Sequence, residues 1–149
     1  MKILLVLNLL LVATSAKIFQ RCELARILKA HGLDGFHGYS LANWLCVAYG
    51  ESVFDTQAIK HYRNDGIMIS TNYGIFQINS RLWCNDDMTE FSKNLCGINC
   101  HSLLDDDITD DIQCAKSVVV TQLGMEIWPG WKRKCMGQQV DRLLFRCEI

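Results

Sequence analysis

The sequence predicts an α+β fold in one domain, because helical patterns lie at both ends of the chain and a strand-rich segment lies between them. Eight cysteines follow an N-terminal stretch that is typical of a secretory leader, which predicts a fold held by disulfides. The chain has 149 residues. Without the leader, this length suits a single domain.

The first sixteen residues read MKILLVLNLLLVATSA. Lys2 precedes an apolar run from Ile3 to Val12, and the small residue Ala16 stands directly before Lys17. This arrangement is typical of a cleaved signal peptide, and the apolar run is too short to span a membrane. We therefore expect residues 1–16 to be a signal peptide, residues 17–149 to be the mature domain, and the protein to be secreted into the extracellular space.

The charge balance bears on the partners. The whole chain has 15 basic and 16 acidic residues, and the leader holds one lysine and no acid, so the mature chain has 14 against 16, a net charge of −2. This balance does not favour a nucleic acid or an anionic membrane as a partner. We expect a monomer that contacts neither.

The even number of cysteines behind a leader favours four disulfides formed in an oxidising compartment. A zinc site is the weaker alternative, since the chain has no CxxC pair and its four histidines do not stand at ligand spacing. Eight cysteines allow about a hundred pairings, so their spacing alone does not choose one. The positions are Cys22, Cys46, Cys84, Cys96, Cys100, Cys114, Cys135 and Cys147.

Two helices are predicted in the first third of the mature chain. CELARILKAHG places apolar residues such as Leu24 and Leu28 on one side and ends at Gly32, a common residue after a helix. SLANWLCVAYGE opens on a possible cap, Ser40, and carries Glu51 at its end. The apolar face of this second helix consists of Leu41, Trp44, Leu45 and Ala48.

A hairpin and two more helices follow. Asp65–Gly66 is a hairpin-turn dipeptide, and the residues after it alternate as in a strand. DDIQCAKSVVVTQLG returns to a helical period, and WPGWKRKC begins another helix, with Pro129 at a first helical position. The alternating strand residues are Ile67, Ile69, Thr71, Tyr73 and Ile75, and the residues in phase on the third helix are Ile112, Ala115, Val119 and Leu123.

The whole mature chain resembles the C-type lysozyme and α-lactalbumin family. The resemblance rests on KIFQRCELARILKAHGLDGFHGYSLANWLCVAYGES, YGIFQINSRLWCND, LLDDDITDDIQCAK and the spacing of all eight cysteines. It implies a helical lobe and a small β-sheet lobe with a cleft between them. It also implies the disulfide pairs Cys22–Cys147, Cys46–Cys135, Cys84–Cys100 and Cys96–Cys114.

Residues 104–111, LDDDITDD, hold five aspartates between two cysteines. Such a cluster repels itself unless something neutralises it, and a solvated acidic helix start is the simplest alternative. The segment lacks the glycine and the distant glutamate of an EF-hand. It is similar to the calcium elbow of α-lactalbumin and the calcium-binding lysozymes. The resemblance implies a structural Ca²⁺ held by the carboxylates of Asp105, Asp110 and Asp111 and by the backbone carbonyls of Ser102 and Asp107.

The resemblance also assigns the catalytic positions. Glycosidases commonly pair a protonated carboxyl, which protonates the leaving oxygen, with an ionised one that attacks or stabilises the sugar cation. Glu51 matches the family's general acid, and Trp128 matches the apolar wall that raises the pKa of such an acid. Asn72 stands where the family has the second carboxylate, and an amide is uncharged and a poor nucleophile. Asp65 is the one nearby acid in the hairpin, but the sequence does not place it in the cleft.

The sugar-binding positions are mostly kept. Gln77, Asn79 and Trp83 match cleft residues that hold sugars in the family, together with Trp128. Leu82 stands where many lysozymes have an aromatic residue. The hairpin that leads to Asn72 is about four residues longer than in a typical family enzyme.

Three functions follow from the resemblance. The first is a secreted glycosidase, weakened by Asn72, that acts on β-1,4-linked amino-sugar polymers such as the glycan of bacterial cell walls. The second is a sugar-binding protein without turnover. The third is an α-lactalbumin-type regulator of a galactosyltransferase, which DTQAI, RLWC and the calcium elbow favour. Glu51 and the twelve-residue Cys135–Cys147 spacing favour the lysozyme branch.

Overall fold

Helices form both ends of the chain in the computed structural model, which describes residues 17–149. The predicted signal peptide, residues 1–16, lies outside this range. Within it, no helix is long and apolar enough to cross a membrane. The α-helices are α1 (Arg21–Ala30), α2 (Leu41–Ser52), α3 (Thr109–Val119) and α4 (Pro129–Lys134), and 3-10 helices lie at Phe36–Gly38, Cys100–Leu104, Gly124–Ile127 and Val140–Leu144.

The predicted helix boundaries have physical causes that the structure shows. Ser40 caps α2, because its hydroxyl accepts a hydrogen bond from the backbone nitrogen of Asn43. Pro129 opens α4, where its missing N–H is not needed. Gly32, just after α1, has a φ of +78°, which a glycine adopts without steric cost.

Three antiparallel strands form the sheet in the order β1-β2-β3, with β1 at Ile59–Asn64, β2 at Ile67–Tyr73 and β3 at Ile78–Asn79. The turn between β1 and β2 is the predicted Asp65–Gly66, and both residues have positive φ, as such hairpin turns require. In the register of this hairpin, Lys60 faces Asn72 and Tyr62 faces Ser70.

Two details of the predicted elements were wrong. β2 ends at Tyr73, and Ile75 is buried in the turn before β3. Helix α3 ends at Val119, and Leu123 lies beyond its end and is 62% exposed. Ile67 and Ile69 at the start of β2 are also exposed, since this end of the hairpin lies beyond the core.

The helices form one lobe and the three-stranded sheet forms the other, and one hydrophobic core includes residues of both. Trp44 on α2 is fully buried in this core. Its ring contacts Phe36, Phe76 and Trp128 at centroid distances of 6.2, 6.4 and 6.0 Å. Four disulfides close the fold, and they are the predicted pairs Cys22–Cys147, Cys46–Cys135, Cys84–Cys100 and Cys96–Cys114. The α+β fold and the four disulfides are therefore confirmed.

Candidate active site and acidic elbow

A cleft of about 440 Å³ lies between the sheet and the helices. Residues of β2, β3 and the end of α2 line it, together with the segment that leads into α4. All the residues predicted to act in catalysis or sugar binding line this one cavity: Glu51, Asn72, Gln77, Asn79, Trp83 and Trp128. Glu51, the segment from Asn72 to Trp83, and Trp128 are far apart in the sequence, so the fold brings these three parts together.

Glu51 lies near the end of α2 with its carboxyl partly buried. Its Oε1 accepts a hydrogen bond from the backbone nitrogen of Gly130 at 2.7 Å. Burial raises the pKa of Glu51 above its ordinary value, and this effect outweighs the Gly130 hydrogen bond and the cations Arg133 and Lys60, which lower it. The carboxyl therefore keeps its proton to a higher pH than a solvated glutamate, as a general acid requires.

A pair of glycines brings α4 against Glu51. A Cβ on Gly130 would lie 2.4 Å from the carbonyl oxygen of Gly50, and a Cβ on Gly50 would lie 2.7 Å from that of Gly130. Both distances are too short for any side chain, so this approach of α2 and α4 requires glycine on both sides. It places the Gly130 N–H on Glu51, a contact that we did not predict from the sequence.

Trp128 forms an apolar wall of the cleft. It is 3% exposed, and its indole nitrogen donates to the carbonyl oxygen of Phe76 at 2.8 Å. This hydrogen bond satisfies the one polar atom of the side chain and fixes the ring across the lobe boundary. Ile127 and Pro129 flank Trp128 in the lining and keep this side of the cavity apolar.

Asn72 is held in a network of amides and hydroxyls. Its Oδ1 accepts a hydrogen bond from Asn79 Nδ2 at 2.8 Å, and its Nδ2 donates to the Tyr62 hydroxyl at 3.4 Å. The side chain is buried, and it lines the cavity that also contains Glu51. This position of the sheet is therefore fixed in place but uncharged.

The other predicted sugar-binding residues differ in how much of the side chain remains available to contact a sugar. Gln77 donates its amide nitrogen to the carbonyls of Ala58 and Gly74, so this part of the side chain holds the turn before β3. Trp83 is 7% exposed and presents its free surface to the cavity. Asp65 lies in the hairpin turn and is absent from the cavity lining, so no second carboxyl of residues 17–149 lines the cavity with Glu51.

The acidic elbow lies between the Cys100–Leu104 helix and α3. Asp111 is fully buried, and neither of its carboxyl oxygens has a hydrogen-bond partner among residues 17–149. Oδ1 of Asp105 is also buried and unpartnered there. Burial raises the pKa of both carboxyls, and the neighbouring Asp110 raises them further. Buried carboxylate oxygens without donors are unfavourable unless a cation accompanies them.

The carboxylate oxygens of the elbow are the type of ligand that a hard cation prefers. Their side chains do not, however, converge on a single point in the structure. In the described part of the chain, no three His, Cys, Asp or Glu side chains converge at metal-ligand geometry. One Asp110 oxygen accepts from the backbone nitrogen of Asp111, and one Asp107 oxygen accepts from that of Thr109. Within the described range, three buried carboxylate oxygens on Asp105 and Asp111 have no hydrogen-bond partner, and calcium prefers oxygen ligands of this kind.

A two-lobed fold with four disulfides and a partly buried acid in the cleft between the lobes defines a lysozyme-like protein. The sequence profile of the C-type lysozyme/alpha-lactalbumin family matches residues 17–147, and the chain belongs to this family.

Similar proteins include Lysozyme C-1 of Mus musculus, 51% identical, Lysozyme C-2 of Sus scrofa, 52% identical, and the milk isozyme of Lysozyme C of Bos taurus, 50% identical. Each alignment covers 100% of both chains. These relatives support a place for the chain in a glycoside hydrolase family.

Proposed function

We propose that this protein is a secreted, calcium-binding lysozyme-like protein that binds β-1,4-linked amino-sugar polymers of the peptidoglycan or chitin type and hydrolyses them slowly. The observation that carries this proposal is the cleft, in which a partly buried Glu51 shares one cavity with Asn79, Trp83 and Trp128. A bacterial cell-wall glycan is the expected natural ligand, and the protein is expected to act as a monomer.

Glu51 supplies the acid half of the chemistry. Its neutral carboxyl donates a proton to the leaving glycosidic oxygen, and the Gly130 N–H keeps the other oxygen in a fixed orientation. Protonation by a positioned acid contributes roughly 10²–10⁴-fold to such reactions. This contribution does not need residue 72.

Asn72 limits the second half of the chemistry, which is the stabilisation of the sugar cation. The sugar that loses its leaving group develops positive charge, and an ionised carboxylate beside it would attack or stabilise it. The amide of Asn72 has no charge, and its oxygen already accepts from Asn79. Water must then reach the sugar without an anionic partner, so we expect slow turnover.

Sugar binding without turnover is the second candidate function, and the fixed amide of Asn72 favours it. Binding depends on the Trp83 and Trp128 surfaces and on the polar groups of Asn79 and Gln77, none of which requires an anion. Both candidate functions therefore predict a protein that binds oligosaccharides, and they differ only in hydrolysis.

The elbow would hold one calcium ion through the carboxylates of Asp105, Asp110 and Asp111 and the backbone carbonyls of Ser102 and Asp107. The unpartnered oxygens of Asp105 and Asp111 support this ligand set. The bound ion would supply positive charge that offsets the clustered carboxylates. Its ligands would lie at and just before the start of α3, outside the cleft lining, so the role of the ion would be structural.

Titration calorimetry with chitotetraose, followed by a hydrolysis assay on wild type and Glu51→Gln, tests the proposal. We expect similar affinities for both proteins, slow hydrolysis by the wild type and none by the variant. Binding with no hydrolysis by the wild type would establish the second candidate function. Absence of binding would refute both.

A further inference from the structure

The sheet side of the cleft carries a row of polar side chains that the predicted site did not include. Lys60 and Tyr62 are two residues apart on β1 and therefore point to the same face. Across the hairpin they face Asn72 and Ser70, respectively. Tyr62, Ser70 and Asn72 all line the cavity. The ammonium of Lys60 lies 5.3 Å from the centroid of the Tyr62 ring, so it borders the same wall.

The hydroxyls of this wall have protons to donate. The Tyr62 oxygen accepts a hydrogen bond from Asn72, and the Ser70 oxygen accepts one from Asn79 at 3.0 Å. Because each oxygen is engaged as an acceptor, each O–H remains a donor for a ligand. With the ammonium of Lys60, the wall offers three donor groups.

Lys60 forms no salt bridge in the described chain, although it is close enough to Glu51 to lower the pKa of that carboxyl. Within residues 17–149 the ion pairs are Lys17–Glu23 and Lys132–Glu126, so Lys60 has no carboxylate within 4.0 Å. Glu51 is the one carboxyl among the lining residues of the cavity. An aspartate at position 72 would face Lys60 directly, whereas Asn72 leaves this cation without an anionic neighbour across the strands.

From this arrangement we infer that Lys60, Tyr62 and Ser70 form a subsite that recognises a carboxylate on the bound saccharide. The inference rests on the proposed function, because a glycan must occupy the cleft to reach this wall. Two kinds of sugar carry such a group: an amino sugar with a lactyl ether, as in muramic acid, and a uronic acid.

Three tetrasaccharides of equal length test the subsite by titration calorimetry in the non-hydrolysing Glu51→Gln background. They are neutral chitotetraose, the alternating N-acetylglucosamine–N-acetylmuramic acid tetrasaccharide, and a hyaluronan tetrasaccharide, which carries uronic acids. Lys60→Met removes the charge and keeps most of the apolar stem, and Lys60→Arg restores a cation. Lys29→Met removes an exposed lysine of α1 and serves as the matched control.

We expect one acidic probe to bind roughly three- to fivefold more tightly than chitotetraose, in line with an exposed ion pair. Lys60→Met should abolish this preference without changing the affinity for chitotetraose, and Tyr62→Phe should reduce it. Lys60→Arg and Lys29→Met should keep it. The acidic probe that gains affinity identifies the source of the carboxylate.

Three results would overturn the inference. Equal binding of neutral and acidic probes would refute the subsite and leave the proposed function standing. A Lys60→Met variant that loses affinity for all three probes alike would also refute the subsite and leave the proposed function standing. Failure of every probe to bind would refute the proposed function together with the inference.

Discussion

Calcium should stabilise the fold through Asp111, the most deeply buried acid of the elbow. Without the ion, both oxygens of this carboxyl are buried with no hydrogen-bond partner among residues 17–149. Asp111→Asn has nearly the same shape and removes a ligand charge. We therefore expect the variant to lose the response to calcium while it keeps a stable fold without calcium.

The size of the effect follows from mass action. A ligand that binds only the folded state at about a hundred times its Kd adds about 2.7 kcal/mol to the free energy of unfolding. Unfolding entropy is roughly 2.1 cal/mol/K per residue near 60 °C, which gives about 280 cal/mol/K for residues 17–149. Calcium should therefore raise the Tm of the wild type by about 10 °C.

Differential scanning calorimetry with calcium or with a chelator measures this shift. Asp106→Asn is the matched control, because Asp106 is an exposed acid of the same cluster outside the proposed ligand set. It should retain the calcium response that Asp111→Asn loses. A wild-type Tm that is indifferent to calcium and chelator, or a full response in Asp111→Asn, would refute the proposed site.

Three further predictions concern the cleft and its partners. Hydrolysis should require protonated Glu51, so the rate should fall as pH rises through the raised pKa of this carboxyl. A pH–rate profile whose alkaline limb is centred at or below 4.5, the ordinary pKa of glutamate, would contradict this. Gly130→Ala should lower both Tm and kcat, because the added Cβ would lie 2.4 Å from the carbonyl oxygen of Gly50 and 2.9 Å from Glu51 Oε1. An unchanged Tm in calorimetry and an unchanged kcat would show that α4 adjusts freely. The protein should not switch a galactosyltransferase towards glucose, because its Cys135–Cys147 segment keeps lysozyme length; increased lactose synthesis in a coupled assay would show otherwise.

Much of the fold could be predicted from the sequence because its signals are local. Ser40 caps a helix through its own neighbours, Pro129 suits a first helical turn, and Asp65–Gly66 favours one type of hairpin turn. The disulfide pairs came from the family resemblance, since spacing alone left many pairings open. The error at Leu123 arose because the apolar period of the sequence continues past Val119, the last residue of the helix.

The surroundings of Glu51 and Asn72 could not be predicted in the same way. The contact of Gly130 with Glu51 depends on how closely α4 packs on α2, which no local pattern encodes. The placement of Lys60 opposite Asn72 depends on the hairpin register, and this register shifts between Tyr62 and Arg63. The tight Asp65–Gly66 turn was the available signal for that pairing.

The central claim is that Glu51 supports hydrolysis and that the uncharged Asn72 makes it slow. The most direct test compares the rate of chitotetraose hydrolysis by Asn72→Asp with that of the wild type. An aspartate there retains the hydrogen bond from Asn79, and the Tyr62 hydroxyl can donate to its second oxygen. Restored electrostatic stabilisation of this kind is worth roughly a hundredfold in kcat. We expect that gain with little change in sugar affinity, and no gain when Glu51→Gln is present as well. An unchanged rate in Asn72→Asp would show that the missing charge does not limit the reaction, and would contradict the proposed role of Asn72.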